Sequence, residues 1–358
     1  MKTFHSALRT KIGKFQFVKD TALFSLPGAL LFLINFIAIP VLISISSLSY
    51  WSQLIIMQSI GALLGIFTNL GWNISIPVKL NELSPDNRIK ILILCFSSRV
   101  TIFLIVISLT LLVSLICNTF QLDLMLALLS GLLFSLTSNW YFIANSNPKL
   151  ILLIDTLPRL FFNCIGVFTG LYIESTTTYL FFLVLGLVIA IFTSLFYICQ
   201  RENFSISQIN FFSMRNLIKA CKYQWYFVLI GGNAIIYTQT PVILANFLFS
   251  ESASVFILSY KIIQLLVSSA NPLLQGLQSW LNRKSFGIKN LQKAFLALTA
   301  ILIALFVIGI SNLHLFISKL SNGTFIAESA HVLLILLTFT FVVLSQHLGL
   351  TGLVHFEL

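Results

Sequence analysis

Four ionisable side chains fall inside long apolar runs of this chain: Arg99, Lys261, Asp155 and Arg159. A charge at membrane depth costs roughly 2.5–3.5 kcal/mol on insertion scales, so it faces a partner or a water-lined cavity. Arg99 sits roughly 12 Å into its run at about 1.5 Å per residue. Lys261 lies about as deep in a later run, counted from the opposite surface. Neither has an obvious acidic neighbour in its own run. Two such cations in a central cavity would hold an anionic headgroup. For Arg99 the plainer alternative is a side chain that snorkels to the nearer surface. Asp155 and Arg159 are four residues apart, share a helix face and can pair. A structural pair is the ordinary reading, and a substrate or proton role the sharper one.

Uncharged polar residues add to this set: Asn35, Asn69, Asn73, Asn233, Gln239, Asn246, Gln264, Asn271 and Gln275. Their amides offer the donors and acceptors that sugar hydroxyls and pyrophosphate oxygens require. Hydrogen bonding between helices accounts for each one singly. Their clustering in two related hairpins favours a lined cavity. His314 and His347 are solitary and read as packing residues. The cysteines Cys95, Cys117, Cys164, Cys199 and Cys221 are scattered and form neither a metal spacing nor a disulfide framework. No metal and no cofactor is expected. Catalytic carboxylate pairs, His clusters and nucleophile motifs are not found, so the chain does not read as an enzyme.

The elements that must position these groups are membrane-crossing helices. A span needs about 20 apolar residues to cross a hydrocarbon core of about 30 Å. The runs that qualify are Leu23–Ser44, Leu54–Val78, Ile91–Cys117, Leu122–Ile143, Leu150–Tyr172, Tyr179–Cys199, Tyr223–Phe249, Ala253–Leu281, Ala294–Ile317 and Phe325–Leu350. The expected fold is therefore all-α, a polytopic membrane helix bundle of about ten transmembrane helices. No cleavable signal peptide is expected, because the apolar stretch after Lys19 is too long for one and lacks a small-x-small site.

Basic residues fall in every second gap. They are Lys2 to Lys19 before the first span; Lys79, Arg88 and Lys90; Lys149; Arg201 to Lys222; and Arg283 to Lys293. The alternate gaps hold Lys319 against Asp123, Glu174, Glu251 and Glu328. The positive-inside bias then places both termini in the cytoplasm. The net charge of +11 follows from this dispersed bias and not from a nucleic-acid surface. Tyr50, Trp51, Tyr172 and Tyr179 fall at outer ends and Trp140, Tyr141, Tyr223, Trp225 and Trp280 at inner ends, the depth amphipathic rings prefer.

The longest gap, Gln200–Lys222, reads as an amphipathic cytoplasmic linker. Pro40–Asn81 and Pro241–Asn282 share a pattern: Pro-Val in an outgoing helix, a short polar turn, then a long returning helix ending at Asn. An even number of spans separates them, so a parallel repeat about the membrane normal is expected. Gly61 and Gly65 form a GxxxG face that reads as packing within the chain. Pro27, Pro40, Pro77, Pro158, Pro241 and Pro272 lie in or beside spans and should kink them.

Three local patterns carry a resemblance. They are Lys19-Asp20 leading into Thr21–Pro40, with Ser49-Tyr50-Trp51 and the Gly61/Gly65/Gly71 helix; Asp155-Thr156-Leu157-Pro158-Arg159; and Pro241–Tyr260 with Lys261 and Asn271-Pro272. In these the chain resembles the polysaccharide transporter family, typified by Wzx-like O-antigen flippases. Its superfamily includes multidrug extruders and the lipid II flippase. The resemblance implies two pseudo-symmetric lobes: 1–200 as a six-helix lobe, 201–222 as a linker and 223–358 as a second lobe of four helices. Such transporters usually have twelve or more helices, so the second lobe reads as shortened or as lacking its last hairpin. The resemblance also implies a substrate, a polyprenyl-pyrophosphate-linked oligosaccharide for lipopolysaccharide synthesis, drawn in by Arg99 and Lys261 and moved by alternating access. Membrane lipids and the polysaccharide polymerase machinery are the implied partners.

Two rivals differ in what they require. A polysaccharide polymerase or ligase needs large outer loops bearing catalytic residues, and the outer gaps here are short. A drug-type exporter needs an acidic residue deep in the first lobe, and Asp20, Glu82, Asp86 and Asp155 fit that poorly.

Overall fold

The computed structural model describes residues 23, 26–145, 147–209, 214–248, 253–264 and 337. The chain is an all-α, multi-pass membrane helix bundle, with no strand among the described residues. Six described helices are long and apolar enough to cross a membrane, and a bent helix makes a seventh if it counts as one span. The expected ninth and tenth spans, and the eighth beyond Gln264, lie outside the described residues.

The helices are α1 (Leu26–Ile45), α2 (Leu48–Asn69), α3 (Trp72–Lys79), α4 (Pro85–Ile116), α5 (Leu122–Phe134), α6 (Asn139–Ala144), α7 (Pro148–Leu150), α8 (Leu157–Ile173), α9 (Thr176–Arg201), α10 (Met214–Leu248) and α11 (Ala253–Gln264). A π turn, Ile151–Thr156, joins α7 to α8. Serines begin two of the spans. The Ser47 hydroxyl accepts from Tyr50 N at 3.1 Å, and that of Ser175 from Thr178 N at 3.3 Å, each satisfying an orphan donor. Met214–Asn233 and Ile235–Leu248 meet at 48° within α10. The adjacent Gly231 and Gly232 are the local cause, since glycine pairs let a helix axis bend.

The second and fourth spans are not continuous helices. Leu70 and Gly71 take left-handed φ values of 50° and 73°, which ends α2 and starts α3. A Cβ on Gly71 would stand 2.6 Å from the Phe227 backbone, so glycine is needed there twice over. In the fourth span α5 ends at Phe134 and α6 starts at Asn139, leaving Ser135–Ser138 outside both helices. Both breaks fall in short polar stretches, Thr68-Asn69-Leu70-Gly71 and Ser135-Leu136-Thr137-Ser138-Asn139, which the apolar length on either side conceals.

The chain divides into two compact units. One is Val41–Ile257. Within it, α2 and α5 pack most closely, with Gly61 and Gly65 of α2 facing α5. A Cβ on Gly61 would collide with the Leu128 carbonyl, and one on Gly131 with that of Gln58. This is backbone-to-backbone approach of the small-xxx-small kind, made within the chain. Leu133 and Leu136 also cluster with Val184 and Leu187 of α9. Large apolar side chains point outward, Phe168 at 74% and Phe192 at 66% exposure, as lipid-facing surface requires. The other unit is Met1–Pro40 with Leu258–Leu358, described at Leu26–Pro40 and Leu258–Gln264, besides Leu23 and Leu337.

Candidate functional site

The charged interior of the Val41–Ile257 unit is built around helix interruptions. Residues Ser135–Ser138 lie outside both helices; the Ser138 carbonyl accepts from Tyr141 N at 3.0 Å, while those of Ser135 and Thr137 need donors from elsewhere. Arg99 of α4 fills that need. Its Nη2 donates to the Ser135 carbonyl and, at 3.2 Å, to that of Thr137. The guanidinium carbon also lies 5.9 Å from the Trp140 ring. Arg99 is 1% exposed, so it does not snorkel to a surface. Its Nε and Nη1 have no hydrogen-bond partner among the described residues, and no described carboxylate pairs with it. A cation at a helix C-terminus is favoured by the macrodipole, and here α5 ends beside it.

Both interruptions meet at this point. Thr68 Oγ1, at the end of α2, shares a short hydrogen bond with Ser135 Oγ. Trp72 Nε1, at the start of α3, donates to Ser98 Oγ at 3.3 Å. Ser98 and Arg99 are neighbours on α4, so one stretch of α4 serves both breaks. Asn69, the last residue of α2, is half-buried, and its Oδ1 has no partner among the described residues.

A second polar centre lies at the π turn. Pro158 has no N–H and its ring crowds the Ile154 carbonyl, so a regular α-helix cannot pass through. The turn widens instead, with Leu157 N bonding Leu152 O. Thr193 Oγ1 of α9 lies 3.1 Å from the Ile154 carbonyl and can donate to it. Immediately after that carbonyl, Asp155 is 1% exposed. Its Oδ2 accepts from Arg159 Nη1 at 2.8 Å and from Asn139 Nδ2 at 3.1 Å. Asp155 Oδ1 and Asn139 Oδ1 are buried acceptors with no donor among the described residues.

A third network closes one end of the unit, the end expected to face the cytoplasm. Arg88 Nη2 lies 2.7 Å from Glu202 Oε1 and donates to Asn145 Oδ1 at 3.0 Å. Tyr141 donates a short hydrogen bond to the same Glu202 oxygen. The network joins the start of α4 to the ends of α6 and α9.

The remaining candidates divide as follows. Asn73 and Asn233 are exposed and Gln239 is half-buried, all in the Val41–Ile257 unit. Asn35, Lys261 and Gln264 are half-buried in the other unit. Among the described residues no carboxylate lies within ion-pair reach of Lys261. Asn271 lies outside the described residues. A shallow apolar recess is lined by Trp72, Ser75, Ile76, Leu80 and Tyr223 among others, and by none of the candidates.

Sequence reasoning did not single out Asn139, Thr193, Glu202 or the backbone carbonyls of Ser135 and Thr137. Pro158 was the available signal for Thr193, since a proline in a span demands a substitute donor. Glu202 is the one acid in the long basic gap between spans six and seven.

The fold and these polar centres define a class, a multi-pass membrane helix bundle with interrupted spans. No family model, no curated protein and no solved structure matches the chain.

Proposed function

We propose that the chain is a flippase that moves a polyprenyl-pyrophosphate-linked oligosaccharide, an O-antigen unit or similar glycan, across the bacterial inner membrane. The observation that carries a transporter reading is the pair of interrupted spans meeting at buried Arg99. Broken membrane helices place polar backbone at membrane depth, and transporters build sites and hinges from them. The substrate class rests on the likeness at Asp155–Arg159 and Pro241–Tyr260. The orientation, N-terminus inside, rests on the alternation of Lys and Arg.

In this reading Arg99 and Lys261 supply the positive potential that draws the pyrophosphate, while Asn35, Asn69, Asn73, Asn233, Gln239, Gln264 and Asn271 offer hydrogen bonds to the glycan. Asp155 and Arg159 hold the π turn of the fifth span. Differential binding of the loaded headgroup to two conformations drives the exchange of access.

Complementation tests the proposal. The chain is expressed in bacteria lacking their own flippase, across strains with different repeat units, and surface polymer is assayed beside membrane insertion. Polymer restored in one strain, and lost with Lys261→Ala at equal protein level, is the expected result. Correct insertion with no polymer in any strain would overturn it.

A further inference from the structure

One face of α10 changes chemistry in an ordered way along its length. Arg215, Lys219 and Lys222 are all exposed. At about 100° per residue they fall within roughly 60° of one another. The same face continues into Tyr226 and Ile230, 58% and 46% exposed. The side of α10 that follows this stripe round the helix is engaged with the bundle. Ala220 and Gln224 are fully buried, Asn216 Nδ2 donates to Ser97 Oγ at 3.5 Å, and the half-exposed Tyr223, at the border between the two faces, has its ring centre 6.2 Å from that of Trp72. The chain carries no acidic residue between Glu202 and Glu251. Among the described residues no carboxylate pairs with these three cations.

We propose that this face binds an anionic phospholipid, with the phosphate held by Arg215, Lys219 and Lys222 and an acyl chain laid along Tyr226 and Ile230. The order of cation, amphipathic ring and aliphatic side chain repeats the depth order of a leaflet: phosphate, interface, hydrocarbon. Three donors on one stripe suit a phosphate, with the Arg215 fork able to take two of its oxygens. Free phosphate would meet the cations but gain nothing from the ring and the aliphatic residue beyond them. A zwitterionic lipid would gain the tail contact but not the net charge attraction.

Native mass spectrometry of the detergent-purified full chain tests this, with phosphatidylglycerol, phosphatidylcholine and inorganic phosphate as the probes. The wild type should retain phosphatidylglycerol over phosphatidylcholine by at least about tenfold. The triple variant Arg215→Gln, Lys219→Gln, Lys222→Gln should lose that preference. The control Lys90→Gln, Lys149→Gln, which removes exposed basic residues elsewhere, should keep it. Equal loss in the control would mean general charge attraction and overturn the site. Displacement by inorganic phosphate at equal concentration would make it a free-anion site and overturn the lipid assignment. A photoactivatable phosphatidylglycerol adds a readout that needs no variant. Crosslinks within residues 214–230 support the proposal, and crosslinks confined to other helices contradict it.

Discussion

Arg99 on the third span and Thr137 on the fourth are joined from side chain to backbone, Nη2 to carbonyl oxygen, at 3.2 Å. The interruption of the fourth span frees that carbonyl, and the charge occupies the place a helical N–H would have taken. A buried arginine is thereby tied to a break in a neighbouring helix. The charge stays in the bundle because the C-terminal end of α5 and the Trp140 ring compensate part of its desolvation.

Removal of Arg99 should therefore cost folding energy as well as charge. Arg99→Met leaves two buried carbonyls without a donor, an expected loss of about 3 kcal/mol. Arg99→Lys should fall between, because the ammonium keeps the charge and its donors but sits on a shorter side chain than the Nη2 that meets both oxygens. Thermal unfolding in detergent and the level of folded protein measure this. An unchanged midpoint for Arg99→Met would show that the contact with Ser135 and Thr137 carries no stability.

Gly61→Ala and Gly65→Ala should differ in severity. The new methyl on residue 61 meets the Leu128 carbonyl, which belongs to a helix backbone and cannot rotate away. On residue 65 it meets Ser135 Cβ at 2.9 Å, a smaller overlap than that at residue 61 and one made with a residue outside the helices. Overpacking costs of about 1–3 kcal/mol are usual, and Gly61→Ala should lie at or above the upper end. Unfolding midpoints of the two variants provide the comparison, and equal effects would argue against the close α2–α5 approach.

Thr193 and Pro158 should be coupled. Thr193→Val alone removes a donor from the Ile154 carbonyl and should cost about 1 kcal/mol. In a Pro158→Ala background the backbone N–H of residue 158 returns and can serve that carbonyl, so the same change should cost less than half as much. A double-mutant cycle measured by unfolding reads the coupling, and strictly additive effects would separate the two residues.

The described spans were legible in the chain because length and apolarity suffice to define them. Leu26–Ile45, Leu122–Ala144, Pro148–Ile173 and Thr176–Arg201 overlap their expected runs closely. The second and third spans start earlier than expected, at Leu48 and Pro85, because the Ser47 hydroxyl caps the one and Pro85 takes the first helical position of the other, both ahead of the apolar runs. The second span breaks at Leu70-Gly71 because Gly71 packs against Phe227, a contact between residues 156 positions apart (227 − 71) that no local pattern reveals. The polar site was legible only in part. Arg99 and Asp155 stand out because charge is rare at that depth. The groups that meet them were hidden, since the Ser135 and Thr137 carbonyls are backbone atoms and Asn139 gains meaning only when α6 lies beside the π turn.

Two cysteines give a direct test of orientation. Cys117 and Cys221 are exposed, at the far end of α4 and near the basic end of α10. In intact spheroplasts a membrane-impermeant maleimide should label Cys117 and spare Cys221, and in inverted vesicles the preference should reverse. The opposite pattern would place the basic gaps outside and contradict the positive-inside assignment.

The most direct test of flippase activity is transbilayer movement in proteoliposomes. The purified chain is reconstituted with a fluorescent polyprenyl-pyrophosphate oligosaccharide, and the fraction reaching the opposite leaflet is read by its protection from an impermeant quencher. Movement well above that of protein-free vesicles, slowed by Lys261→Ala and absent with a neutral polyprenyl alcohol, is the predicted result. Folded and correctly inserted protein that moves no glycan of a broad panel faster than bare lipid would contradict the account.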